Sequence, residues 1–313
     1  MELSPQIIEQ AAKSIDPIFL NTPQFELDAL NDLLGLRLVL KVETLNPIRC
    51  FKGRGTDYFV KQNADAVSFV CASAGNFGQG MAYACQKQAI PLTVFAAETA
   101  NPLKLERMKQ LGADIRLAGT DFDAAKDAAK AYALANAQPF VEDGQAAEIA
   151  AGAGTIGLEL GKYPAPMDTL LVPVGNGALI NGIATWYKHS HPGTTVIGVV
   201  AAGAPAMDLS WRQGQRVTTE RAETIADGIA VRNPVPEALL SMAATVDDIV
   251  QVSDDAILNA MRVIHGLVGI VVEPAGAVGV AAAMTAKDRF VGRLVATPLC
   301  GSNLTETQVA QWL

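Results

Sequence analysis

Short apolar runs of β type alternate along this chain with longer, alanine-rich segments of helical character, and that alternation restricts the fold more than any other feature. The strand candidates are RLVLKVE (37–43), VSFVCAS (67–73), LTVFAAE (92–98), DIRLAG (114–119), TLLVPV (169–174), TTVIGVV (194–200) and GRLVATPL (292–299). Between them lie helical stretches such as NFGQGMAYACQKQ, NPLKLERMKQLG and DFDAAKDAAKAYALANA. The second of these ends in Gly112, a helix stop just ahead of the next strand. Runs that are apolar nearly throughout are strands covered on both faces, and intervening helices supply that cover. The pattern predicts an α/β fold with parallel sheets covered by helices. The βα units from about 67 to 140 are enough for a compact sheet of their own.

A chain of 313 residues can bury a large core. Half its residues are hydrophobic and only 18% are charged, which argues against disorder. A formal net charge of −8 leaves no electrostatic footprint for nucleic acid or an anionic membrane, so a small molecule is the expected partner. Cys50, Cys71, Cys85 and Cys300 are scattered without the spacing of a zinc site or a disulfide framework. The opening MELSPQIIEQ does not read as a signal peptide, and no apolar run is long enough to span a bilayer. The expected compartment is the cytoplasm.

In open α/β sheets functional loops lie beyond the carboxyl ends of strands. Three such junctions stand out: Ser73-Ala74-Gly75-Asn76-Phe77-Gly78-Gln79-Gly80, Gly175-Asn176-Gly177-Ala178-Leu179-Ile180-Asn181-Gly182, and Cys300-Gly301-Ser302-Asn303. Glycines in the first two let the backbone approach a ligand closely, and free N–H groups at the following helix start favour an anion. The second loop reads as a phosphate cradle, the first as a carboxylate or phosphate cradle. Neither carries the dinucleotide or Walker spacing. Upstream, Arg49-Cys50-Phe51-Lys52-Gly53-Arg54-Gly55 sets a lysine behind an aromatic residue and between glycines. Positive charge nearby, from Arg54 or a helix N-terminus, would favour the neutral form of its amine.

The ordered set "FKGRG", "SAGNFGQG", "VPVGNGALINGIA" and "CGSN" resembles the fold-type II pyridoxal-phosphate enzymes, in particular the serine/threonine dehydratase (ammonia-lyase) and serine racemase branch. "NTPQF", "GAGTIGLEL", "TIADGIAV" and "VEPAGAVGVAAA" extend the likeness over nearly the whole chain. The resemblance implies a two-lobed, tryptophan synthase beta-like architecture, with residues 1–62 plus 146–313 as the large cofactor-binding domain and 63–145 as a small mobile domain. It implies that Lys52 holds pyridoxal 5′-phosphate covalently and that Gly175, Asn176, Gly177, Ala178 and Leu179 bind its phosphate through backbone amides. Asn76 would hydrogen-bond the ring hydroxyl, with Phe51 packed against the ring. Cys300 would face the pyridine nitrogen, and a thiol cannot hold that nitrogen protonated as a carboxylate would. Ser73, Ala74, Gly75, Asn76 and Phe77 would surround the substrate carboxylate. Gly228 and Glu273 match motifs near the cofactor, with packing an equal role for Glu273.

Two departures from the family pattern carry information. Where racemases of this branch present a serine opposite the lysine, this chain has Ala74, whose methyl group moves no proton. Where several members bind a divalent cation, it reads Val200-Ala201-Ala202-Gly203-Ala204-Pro205-Ala206, without the oxygen ligands such an ion needs. No metal is expected there, although Asp208 lies close by. With the chain ending at Leu313, the carboxy-terminal regulatory domain of biosynthetic threonine dehydratases, and feedback through it, is not expected either.

The expected activity is a carbon–oxygen lyase reaction converting a β-hydroxy amino acid such as threonine or serine to a 2-oxo acid and ammonia, with Lys52 as the base at Cα. The family also implies a homodimer. Racemisation and cysteine synthase-like β-replacement remain alternatives on the same scaffold. A non-catalytic ligand-binding protein and a nicotinamide-dependent oxidoreductase are the alternatives from other classes.

Overall fold

The structure is a computed structural model that describes residues 2–100 and 102–313. Its strands are β1 (Gln24–Phe25), β2 (Arg37–Val42), β3 (Phe69–Ala72), β4 (Leu92–Ala96), β5 (Asp114–Leu117), β6 (Phe140–Val141), β7 (Thr169–Pro173), β8 (Thr195–Ala201), β9 (Asp248–Val252) and β10 (Leu294–Leu299). They form a six-stranded sheet in the order β1-β2-β10-β7-β8-β9 and a four-stranded sheet in the order β5-β4-β3-β6. Every pairing is parallel except β1 with β2. All residues of β7 and β10 are buried, as strands with helices on both faces must be.

The seven strands read from the sequence all form. Three more, β1, β6 and β9, do not show as apolar runs. β1 and β6 have two residues each, and β9, at a sheet edge, buries only Ile249 and Val252 of DIVQV. The helix expected over NPLKLERMKQLG runs Pro102–Gln110, and Asn101 lies outside the described residues. No helix among the described residues is long and apolar enough to cross a membrane.

The helix Lys52–Gln62 places the lysine, so its anchoring matters most. It crosses the helix Ala147–Leu160 at Gly55 and Gly152, where a Cβ on Gly152 would stand 2.5 Å from both Gly55 Cα and the Arg54 carbonyl oxygen. Only glycine permits so close an approach of two backbones. Beside the crossing, the wholly buried Arg54 donates from Nε and Nη2 to the two oxygens of Glu43 (2.8 and 2.9 Å) and from Nη1 and Nη2 to those of Glu159 (2.7 and 2.9 Å). A further Nη1 bond goes to Thr155 Oγ1 at 2.9 Å, so each of its five N–H groups has an acceptor. Lys41 Nζ completes the cluster, donating to Glu159 Oε2 at 2.6 Å and the Thr22 carbonyl at 2.7 Å. Two cations and two carboxylates leave the cluster neutral.

This corrects the electrostatic role expected of Arg54. Its charge is balanced by Glu43 and Glu159, and it does not line the cavity into which Lys52 projects. Burial alone pushes the Glu159 carboxyl up, but hydrogen bonds and charge from Arg54, then Lys41, outweigh it and hold the group at about 2. A carboxyl so depressed contributes stability that is complete above its ordinary value of 4.5 and is lost as pH falls through about 2. Removing one partner of a buried pair leaves the others uncompensated, a cost of about 3–5 kcal/mol. Arg54→Met is therefore expected to lower the unfolding free energy by about that amount in urea denaturation at neutral pH. A loss under about 1 kcal/mol, the range of an exposed pair, would contradict the anchoring role.

Candidate active site

A cavity of about 570 Å³ is lined by the loops that follow β3, β6, β7 and β10. Every residue to which the resemblance gives a cofactor or substrate contact lines it: Phe51, Lys52, Ser73, Ala74, Gly75, Asn76, Phe77, Gly175, Asn176, Gly177, Ala178, Leu179, Gly228, Glu273 and Cys300. Residues from the two sheets thus converge on one space, as ligand sites at strand ends in α/β proteins do.

Lys52 is the first residue of its helix. Its amine lies 4.7 Å from the centroid of the Phe51 ring and 5.9 Å from that of Phe77, and pairs with Asp143 Oδ2 at 2.5 Å. On the far wall, Gly177 caps the helix Ala178–Ser190 with φ of 92°, and a Cβ there would stand 2.8 Å from Ala238 Cβ. This left-handed turn presents the N–H groups of residues 175–179, which have no backbone acceptor among the described residues. Such a row of free donors at a helix start is built for an anion.

Between amine and cradle lies a polar network. Asn76 Nδ2 donates to Glu273 Oε1 at 2.6 Å, Asn303 Nδ2 donates to Asn76 Oδ1 at 2.8 Å, and the Asn303 N–H donates to Glu273 Oε2 at 2.9 Å. These bonds fix the Asn76 amide and leave its second N–H free to donate into the cavity. Glu273 caps the helix Pro274–Thr285; burial, then the charge of Asp227, pushes its carboxyl up. The Cys300 thiol is also buried and donates to the Ala275 carbonyl at 3.5 Å. Burial, then Glu273, pushes it well above its ordinary range, so it stays protonated.

In the first loop Ser73 Oγ accepts the N–H groups of Gly75 (3.1 Å) and Gly78 (2.9 Å). The Gly75 N–H, expected to face a substrate carboxylate, is turned inward instead. The Ser73 hydroxyl proton and the N–H groups of Asn76 and Phe77, at the start of the helix Asn76–Gln88, are the donors left for an anion.

At the mouth, charged pairs cross from the four-stranded sheet's helices to the segment 220–233. Lys104 meets Asp227, and Arg232 Nη2 and Asn233 Nδ2 reach Asp123 Oδ2 at 2.5 and 2.8 Å. Among the described residues no cluster of three or more His, Cys, Asp or Glu side chains could hold a metal ion. Asp208 is engaged by Arg212 at 2.7 Å and by Gln251 at 2.7 Å.

Asp143, Lys104, Asp227 and Asn303 were not singled out from the sequence. Asn303 lies in a loop that was. Asp143 follows β6, whose two residues are too few for periodicity to detect, so the loop after it escaped the strand-end rule.

These groups fit pyridoxal phosphate: an amine on a flexible stem beside aromatic faces, backbone donors for a phosphate, and an oriented amide and a neutral thiol between them. The family described as pyridoxal-phosphate dependent enzyme matches residues 15–301. The biosynthetic L-threonine dehydratase of Lactococcus lactis subsp. lactis is 34% identical over 312 residues, covering 96% of this chain and 75% of that protein. The processed form of threonine deaminase isoform 2 from Solanum lycopersicum superposes with a TM-score of 0.90 at 27% identity, over 98% of this chain and 88% of that one. Maize serine racemase gives 0.93 at 24% identity, over 99% and 97%, a likeness of fold alone. Forcing a methyl group into the tight turn at Gly177 costs about 1–3 kcal/mol. Gly177→Ala is therefore expected to weaken retention of pyridoxal phosphate on the order of tenfold, read as cofactor absorbance lost on dialysis. Retention equal to the parent would contradict the cradle.

Proposed function

The chain belongs to the family of pyridoxal-phosphate dependent enzymes, and from that premise we propose that it is an ammonia-lyase converting L-threonine to 2-oxobutanoate and ammonia, with L-serine as a second substrate. The observation that carries this reading is that the Lys52 amine and the 175–179 donor row line one cavity, whose lining at Ala74 offers no group that could act as a second base. The identity to a threonine dehydratase over 96% of the chain supports the choice of substrate.

Pyridoxal phosphate, held by Lys52 and the 175–179 cradle, supplies when bound the electron sink that takes up the charge left at Cα. The chain's residues do the rest. Ser73 Oγ–H and the Asn76 and Phe77 N–H groups hold the substrate carboxylate, which fixes the direction of the Cα–H bond. Lys52 would remove the Cα proton. Asn76, held by Glu273 and Asn303, orients the cofactor ring through its hydroxyl. Cys300, a neutral thiol whose one S–H is held by the Ala275 carbonyl, would face the ring nitrogen without placing a charge on it, which would limit the sink and favour expulsion of the β-hydroxyl over a long-lived carbanion. The 63–145 unit acts as the mobile lobe that closes the cavity through the pairs at its mouth. A cytoplasmic homodimer completes the reading on analogy with the family.

The test is the purified protein with L-threonine. Equal amounts of 2-oxobutanoate and ammonia are expected, with remaining threonine wholly L, and Lys52→Ala is expected to lose both turnover and cofactor absorbance. Accumulation of the inverted amino acid without 2-oxo acid would replace elimination by racemisation.

A further inference from the structure

Asp143 is a carboxylate that the proposed chemistry leaves without its partner. It stands two residues beyond β6, and β6 pairs with β3 in the register Cys71 to Val141, so the loops carrying Ser73 and Asp143 leave the sheet side by side. Its side chain is 11% exposed; Oδ2 meets Lys52 Nζ at 2.5 Å, while Oδ1 is buried with no hydrogen-bond partner. The loop is held in place. Gly144 has φ of 89°, a Cβ there would stand 2.1 Å from the Asn176 carbonyl oxygen, and Gln145 Nε2 donates to Glu237 at 3.2 Å. The segment is thereby pressed against the 175–179 cradle.

Resting on the function proposed above, Lys52 gives up its charged amine to the cofactor in the loaded enzyme. The Asp143 carboxylate then lacks the cation it pairs with in the structure. The incoming amino acid offers another in its α-ammonium, which must shed a proton before its nitrogen can displace Lys52. That displacement brings the substrate nitrogen to the position the Lys52 amine gives up, within hydrogen-bond reach of Asp143. We propose that Asp143 is the proton acceptor for the substrate's α-ammonium.

The proton count closes. One proton passes from the α-ammonium to Asp143, and the neutral amine takes the place of Lys52, which is released as a neutral amine. Lys52 accepts the Cα proton. The electron pair left at Cα expels the β-hydroxyl with its bonding pair, and the proton taken from the α-ammonium leaves with it as water. The result is a Lys52 ammonium beside an Asp143 carboxylate, the pair seen in the structure.

The experiment uses the cofactor-loaded protein and L-alanine, which has no β-hydroxyl, so amine exchange is read from cofactor absorbance in rapid mixing without elimination. A parent protein that exchanges alanine but does not eliminate from threonine would overturn the ammonia-lyase reading and leave Asp143 open to judgement by its own variants. Asp143→Asn, nearly isosteric, is expected to load cofactor and to exchange on the order of 10²-fold more slowly. Asp143→Glu is expected to recover at least part of that rate, and added formate to accelerate Asp143→Gly. Exchange by Asp143→Asn within about twofold of the parent, or no response of Asp143→Gly to formate while the parent exchanges normally, would overturn the proposal, since acid–base partners contribute on the order of 10²-fold or more.

Discussion

The buried pairing of Arg54 with Glu43 and Glu159 is the interaction on which the site depends. A guanidinium with every N–H satisfied by two carboxylates and a threonine has one available geometry. It ties together the segment after β2, the helix that starts at Lys52 and the helix Ala147–Leu160. Burial of such charges is unfavourable unless all are matched, and Lys41 supplies the second cation that makes the cluster neutral. Two residues upstream of this fixed point, Lys52 enters the cavity from a helix end that cannot slide. Positional control of a reacting group is worth several powers of ten in rate, and the network would give the base proposed at Lys52 that control without touching the substrate.

From that fixed point the two sheets contribute different things. The six-stranded sheet, through the ends of β7 and β10, brings the anion cradle and Cys300; the four-stranded sheet, through β3 and β6, brings the loops at Ser73 and Asp143. Asn76 and Asn303, joined through Glu273, bind the two halves across the cavity floor. Ion pairs at the mouth, Asp123 with Arg232 above all, do so at the rim. With Ala74 unable to carry a proton, the groups available for the proposed acid–base chemistry are Lys52 and Asp143, which pair in the structure.

Much of this was legible in the sequence because it rests on backbone patterns. Apolar runs such as TLLVPV and LVATPL mark doubly covered strands, and glycine-bearing loops after them mark the cradle. The short or edge strands β6 and β9 were not legible, since two residues or a half-buried run interrupted by Gln251 carry no signature of a parallel sheet. The larger miss was at "KGRG". Read locally, Arg54 and the glycines looked like an environment for the lysine amine. In the fold, Gly55 exists for a helix crossing with Gly152, Gly53 for the Phe19 ring that a Cβ would meet at 2.2 Å, and Arg54 for carboxylates 11 and 105 residues away. Asp143, the true charged neighbour of Lys52, lies 91 residues from it, beyond the reach of any local pattern.

The central claim is that Lys52 is the amine that carries the cofactor. Reduction of the loaded protein with borohydride, followed by proteolysis and peptide mass spectrometry, tests it most directly. The account predicts a phosphopyridoxyl mass on the peptide containing Lys52 and on no other. The same mass on the peptide of Lys104 or Lys126, both of which also line the cavity, or its absence from all peptides, would contradict it.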